Sequence, residues 1–224
     1  CFAASLSAMV AALTHGKKGY EAVRVEMEAL AVEGHALKES LLRAVDAVEG
    51  LERVRFMSPH PYFLNARMIA AMAECGKVCE QLHLPVQSGS DRLLKAMRRN
   101  YTRAEFVARV AALRQALPGV SLTTDFILGF PGEDEADVAA TLSLIEEVGF
   151  DGAYCFKFSP RAGTDAAALG DPVPEPEKEE RLRRVLEAVL RGSTRRAGAL
   201  GGTDQYVLVE ESGLGWKEFE LEVM

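Results

Sequence analysis

The chain has 224 residues, 48% hydrophobic and 26% charged, with mean hydropathy near zero and a net charge of −7. That length buries a real core, as one large domain or a domain with a small appendage, and no apolar run is long enough to cross a bilayer. The acidic balance weighs against a general nucleic-acid-binding surface and leaves room for a local basic patch.

Four cysteines, Cys1, Cys75, Cys79 and Cys155, do not space like a secreted disulfide framework, so a cytoplasmic protein is expected. Residues 2–13 are mildly apolar but lack a basic leader, and they read as an ordinary helix. From residue 39 helix and strand patterns alternate. Residues 41–48 read as a helix, 53–57 as a short strand, 64–73 as a helix and 79–86 as a strand. Residues 102–117 form an amphipathic helical pattern, 120–128 a strand, 134–148 a helix and 153–158 a strand. A long helix follows over 175–196. Strands separated by helices of this length predict βαβ units and a parallel sheet with right-handed crossovers.

Each strand pattern carries one apolar and one polar face, because side chains alternate along a strand. His83, Pro85 and Gln87 oppose Leu82, Leu84 and Val86; Ser121, Thr123 and Asp125 oppose Val120, Leu122 and Phe126. Cys155, Lys157 and Ser159 form the expected polar face of the last strand, and Arg53 and Arg55 alternate with Val54 and Phe56. A doubly wound sheet would have two apolar faces. A polar face in every strand predicts a barrel or half-barrel lining a cavity, or else a two-layer sheet with a solvated face.

The strand ends read Ser58-Pro59-His60-Pro61, Gln87-Ser88-Gly89-Ser90, Gly129-Phe130-Pro131-Gly132-Glu133-Asp134 and Ser159-Pro160-Arg161-Ala162-Gly163-Thr164. Each joins turn-forming Gly or Pro to polar side chains able to face a ligand. Ser90 or Asp91, and Glu133 or Asp134, also suit helix N-caps.

On these residues the chain resembles the radical S-adenosylmethionine (SAM) methylthiotransferases. The matching runs are RVRFMSPHP, VCEQLHLPVQSGSDRLLKAMRRNYT, LTTDFILGFPGEDEAD and FKFSPRAGT, and their wording is similar to the tRNA (MiaB-type) branch. The resemblance covers residues 37–199. It implies an α/β fold built on a partial (β/α) barrel of about four parallel strands. A weaker likeness over 202–210 implies the start of a small β TRAM-like segment. The expected division is an atypical N-terminal helical segment over 1–36, the core over 37–199 and a truncated TRAM-like segment over 200–224. Residues 20–34 resemble the family's first barrel helix, and a second barrel strand does not follow them.

The resemblance further implies SAM and 4Fe-4S clusters as cofactors, tRNA as partner, a sulfur donor and an electron donor of unknown kind, and a methylthio group placed on C2 of N6-isopentenyladenosine beside the anticodon. Among members the SAM-binding cluster sits on Cys-x3-Cys-x2-Cys, which is absent from this sequence; Cys75 and Cys79 have no third cysteine. By resemblance, Gln87, Ser88, Asp125, Gly129, Gly132 and Glu133 are expected to contact SAM. Arg99 or Arg161 suits its carboxylate, and Arg195 and Arg196 suit RNA phosphates. Lys157 would need a charge partner inside a barrel, for which Asp125 is expected. Two other readings stay open: an inactive remnant or RNA-binding accessory, and an aldolase-type barrel using Lys157 as a Schiff-base amine.

Overall fold

A computed structural model describes residues 35–56, 60–161, 163–211 and 215–222, with side chains described from Glu39 to Thr203. The expectations for residues 1–34, including Cys1 and the first barrel helix, lie outside the described residues, as do Ser58 and Pro59.

Helix α1 (His35–Asp46) leads to a lone parallel bridge between Val54 and Val78, then a short 3-10 turn at Pro61–Phe63. Helix α2 (Ala66–Glu74) starts where the Asn65 side chain accepts from the Met68 N–H. Strand β1 (Gln81–His83) is followed by α3 (Asp91–Ala96) and α4 (Arg103–Ala116). Strand β2 (Ser121–Leu128), helix α5 (Glu135–Val148), strand β3 (Gly152–Lys157) and the long α6 (Glu175–Gly198) complete the core. Thr102 with Glu105, and Asp134 with Asp137, form capping boxes that start α4 and α5. Gly149 ends α5 in the left-handed region, at φ 60°.

Strands β1, β2 and β3 form one parallel sheet in that order. His83 lies beside Thr123, Asp125 beside Tyr154 and Leu128 beside Lys157. About four parallel strands are expected, and among the described residues three form. Of the strand expected at 53–57, the described residues 53–56 contribute only the Val54–Val78 bridge. The reason is local: the Gln81 N–H turns back onto the Cys79 carbonyl at 2.7 Å, which breaks the edge that a fourth strand would pair with.

Leu122, Phe126 and Leu128 point to the helical side of the sheet and are buried. There they join Leu82, Phe106, Leu144, Phe150 and Val185 in the main core. Strands β4 (Asp204–Glu211) and β5 (Gly215–Glu222) form an antiparallel pair. A single hairpin of this kind does not establish a TRAM module.

The register of β3 reverses one expectation. Neighbours in a parallel pair share a face, so Tyr154 and Phe156 lie on the Asp125 face, 64% and 53% exposed. Cys155 packs with the helical core instead, and Lys157 shares that side. The small side chains Ala153 and Cys155 sit on the face covered by α6, where a helix must approach closely.

Candidate functional site at the strand ends

The site grows from the junction of β1 with the turn that follows it. The ladder runs through the Leu84 N–H, which donates to the Thr123 carbonyl at 2.8 Å. Pro85 has no N–H to offer, and the Thr124 hydroxyl replaces the lost pairing. It accepts from the Val86 N–H at 3.0 Å and donates to the Leu84 carbonyl at 2.8 Å. The chain then rejoins β2: the Gln87 N–H donates to Asp125 O at 2.8 Å, and Gln87 O accepts from the Ile127 N–H at 3.0 Å.

Those two bonds hold Gln87 at φ 75°, a left-handed conformation unusual outside glycine. Among the described residues its side-chain amide takes no partner. Tyr101 buttresses the same bend, its hydroxyl donating toward the carbonyls of Pro85 and Val86 at 3.2 and 3.0 Å. Burial pushes that phenol up to about 12, against the opposing pull of Arg99 and Arg109. Arg99 therefore lies near the bend, and its Nε is buried with no hydrogen-bond partner.

Asp125 stands on the open face of β2. Its Oδ1 lies 3.2 Å from His83 Nε2, and His83 Nδ1 lies 2.9 Å from the Thr123 hydroxyl. The Tyr154 ring meets His83 edge-on at 5.8 Å. The second oxygen of Asp125 accepts from no described residue.

A second set of predicted residues is taken up by internal bonds. Ser88 is 1% exposed; its hydroxyl accepts from the Ser90 N–H and lies 3.4 Å from the Thr141 hydroxyl. Ser90 caps α3 and donates to Asp137 at 2.5 Å, while Arg92 reaches the Gly132 carbonyl at 2.8 Å and also pairs with Asp137. Burial would raise the Asp137 carboxyl, but bonds from Ser90, the Asp134 N–H and Arg92 hold it below its ordinary value.

Glu133 closes the second turn. It accepts from the Gly129 N–H at 2.6 Å and pairs with Arg181 at 3.0 Å; burial outweighs both and pushes its carboxyl up. Gly129 itself, at φ 74°, has the Lys178 stem where a Cβ would stand, 2.5 Å away. Lys178 is 2% exposed and ties the Phe158 carbonyl to Asp171, at 3.1 and 2.5 Å.

The structure therefore brings Gln87, Ser88, Asp125, Gly129, Gly132 and Glu133 to one edge, the C-terminal end of the parallel strands. Arg99 joins them there, and Arg161 follows β3, exposed. Arg195 and Arg196 lie at the other end. Arg196 bonds to Asp151 at 2.6 Å and to the Val120 carbonyl at 3.4 Å, beside the start of β2, whereas Arg195 is exposed.

Lys157 does not pair with Asp125. It lies on the opposite face, bonded to Glu175 and 3.5 Å from Glu179; the Glu175 bond raises its ammonium above the ordinary value. A Schiff-base amine needs the reverse shift. Tyr101, Lys178 and Arg181 were not foreseen as parts of this edge. The last two were detectable, since Lys178, Arg181, Val185 and Val189 fall on one helical stripe, and all four are buried.

The polar donors around Gln87, Asp125 and Arg99, one of them a buried guanidinium nitrogen without a partner, suit a nucleoside bearing a carboxylate, such as SAM. The described cysteines do not suit an iron–sulfur cluster. Cys75 is buried in the core, burial pushes Cys155 up to about 11, and among the described residues no three ligating side chains gather. No helix among the described residues is long and apolar enough to cross a membrane.

Comparison with known proteins agrees with this geometry. Coproporphyrinogen III oxidase (HemN) from Escherichia coli, titled a Radical SAM enzyme, shares the fold at TM-score 0.50 and 16% identity, over 78% of this chain and 38% of that one. A tRNA-2-methylthio-N(6)-dimethylallyladenosine synthase of Clostridium botulinum is 48% identical over 76% of this chain. Its Sorangium cellulosum counterpart is 53% identical over the same share. The chain spans only 38% and 34% of those two proteins. The profile of the Radical SAM superfamily matches residues 22–145, more than half of the sequence and including β1, β2 and both turns that build the site. With its parallel strands, its polar strand ends and this match in agreement, the chain belongs to the radical SAM superfamily.

Proposed function

We propose that this chain forms the SAM-binding wall of a tRNA methylthiotransferase, the enzyme that adds a methylthio group to C2 of N6-isopentenyladenosine beside the anticodon. The observation that carries the reading is the convergence at one sheet edge of three groups with unspent hydrogen-bonding capacity: the Gln87 amide, the free oxygen of Asp125 and the Arg99 guanidinium. Asp125 suits ribose hydroxyls, Gln87 an adenine edge and Arg99 the amino-acid carboxylate. Arg161 is an alternative carboxylate partner. Ser88, Gly132 and Glu133 support the turns, and Gly129 makes room for the Lys178 stem that braces the second of them.

SAM supplies the activated group in this superfamily when bound. The residues of this chain are assigned binding and orientation alone, because the described cysteines build no cluster site. The relatives' names support tRNA as the substrate class, and Arg195 is the exposed candidate for a phosphate contact.

Isothermal titration with S-adenosylhomocysteine tests the reading. Arg99→Ala and Asp125→Asn are each expected to weaken binding roughly tenfold, the scale of one charge-assisted hydrogen bond. Absence of binding by the unaltered chain, or variants that bind like it, refutes the reading. For RNA, affinity for an anticodon stem-loop should fall with salt, and Arg195→Ala should flatten the slope by about 0.9. Retained RNA affinity without nucleoside binding would instead favour an RNA-binding accessory.

A further inference from the structure

His83 is not itself assigned to the ligand, yet it lies on the open face and bonds to Asp125, which is. It is 8% exposed and bonded through both ring nitrogens, to Thr123 at 2.9 Å on one side and Asp125 at 3.2 Å on the other. The register explains why: His83 and Thr123 are direct neighbours across β1 and β2, and Asp125 follows Thr123 on the same face. The Tyr154 ring also meets the imidazole edge-on, 5.8 Å away.

We propose that His83 is a positioning residue that fixes the Asp125 carboxylate for a ribose diol, a role that rests on the nucleoside reading above. An aspartate carboxylate can rotate about its Cβ–Cγ bond, and an oxygen aimed at a ribose diol requires one orientation. With Oδ1 held by His83 Nε2, rotation about the Cβ–Cγ bond is arrested and Oδ2 is presented outward. The Thr123 hydroxyl serves the opposite ring nitrogen. With Nε2–H donating to Asp125, Nδ1 is left to accept from that hydroxyl, which settles the ring's rotation and its tautomer. The arrangement is a chain of three adjacent-strand residues, Thr123, His83 and Asp125, and only the last faces the ligand.

The test uses the full chain and two probes, 5′-methylthioadenosine and 2′,3′-dideoxyadenosine, whose sugar lacks the diol. His83→Leu should weaken 5′-methylthioadenosine roughly tenfold and leave dideoxyadenosine unchanged. His83→Gln, which keeps an amide donor at the same reach, should restore most of the loss. A packing role would predict equal losses for both probes and no rescue by glutamine; either result overturns the proposal, as does His83→Leu binding like the unaltered chain. If His83→Leu does not fold, Thr123→Val supplies the same comparison, with a smaller diol-dependent loss expected and an equal loss for both probes refuting. Failure of the underlying reading looks different: the unaltered chain binds neither probe, or Asp125→Asn binds both like the unaltered chain, and the positioning role falls with it.

Discussion

The two faces of strand β2 divide the labour of this protein. Leu122, Thr124, Phe126 and Leu128 alternate inward and are all buried, while Ser121, Thr123, Asp125 and Ile127 alternate outward and stay partly accessible. One face is packed against helices and holds the sheet; the other is mostly polar, with Thr123 and Asp125 bonded to His83 and Ile127 packed against the small Leu93, Phe130 and Phe158 cluster. A strand that stabilised through both faces would have no groups left for a ligand. Stability and binding should therefore be separable, residue by residue, along eight consecutive positions.

The sharpest break in that contrast should come from Phe126→Ala. The ring is fully buried and meets Phe150 edge-on at 5.9 Å, so its removal should cost about 4 kcal/mol, measured by urea unfolding. Next is Gly89→Ala, at the turn where α5 packs against the strand end. A Cβ there would stand 2.4 Å from the Ala140 carbonyl oxygen, so α5 must shift, at a cost of about 3 kcal/mol. Thr124→Val keeps the shape but strands the Val86 N–H and the Leu84 carbonyl; about 2 kcal/mol is expected.

A smaller effect is set by pH. Asp137 is held below its ordinary value, so it stabilises the fold above the usual aspartate pKa of about 3.9, and that contribution disappears as pH falls through the lower folded value. Thermal melts from neutral to strongly acidic pH should show the loss, and Asp137→Asn should flatten part of it. The smallest expected stability effect is Asp125→Asn, under about 1 kcal/mol, because the side chain is 23% exposed and sits on the open face. A large destabilisation by that variant would erase the distinction between the faces.

Much of the architecture was legible from pattern alone. The polar alternation of β1 and β2 placed His83, Thr123 and Asp125 on one face correctly, since each opposing residue is strongly apolar. The same rule failed at β3, where the choice lay between an aromatic pair, Tyr154 and Phe156, and a mixed pair, Cys155 and Lys157. Polarity alone assigned the open face to the second pair; the close approach of α6 and the carboxylates of Glu175 and Glu179 drew it to the helical side. Ser88 and Glu133 are expected by resemblance to contact SAM, and their internal bonds are not visible in the local pattern. Each is spent on an internal bond to a residue more than 45 positions away, Thr141 for the first and Arg181 for the second.

What the sequence determined by itself was whatever depends on near neighbours: the order of helices and strands, the caps at Ser90 and Asp134, and the turn glycines Gly129 and Gly132, both of which sit at positive φ. It also carried the strand-end runs on which the resemblance rests, because those are contiguous. Only the tertiary structure decided which polar groups remain unspent. Hydrogen-bonding capacity is consumed by partners brought together across the sheet and under α6, and no local pattern records those distances. Gln87, Asp125 and Arg99 are the proposed ligand contacts because folding occupied the groups around them and left these three with bonding capacity to spare.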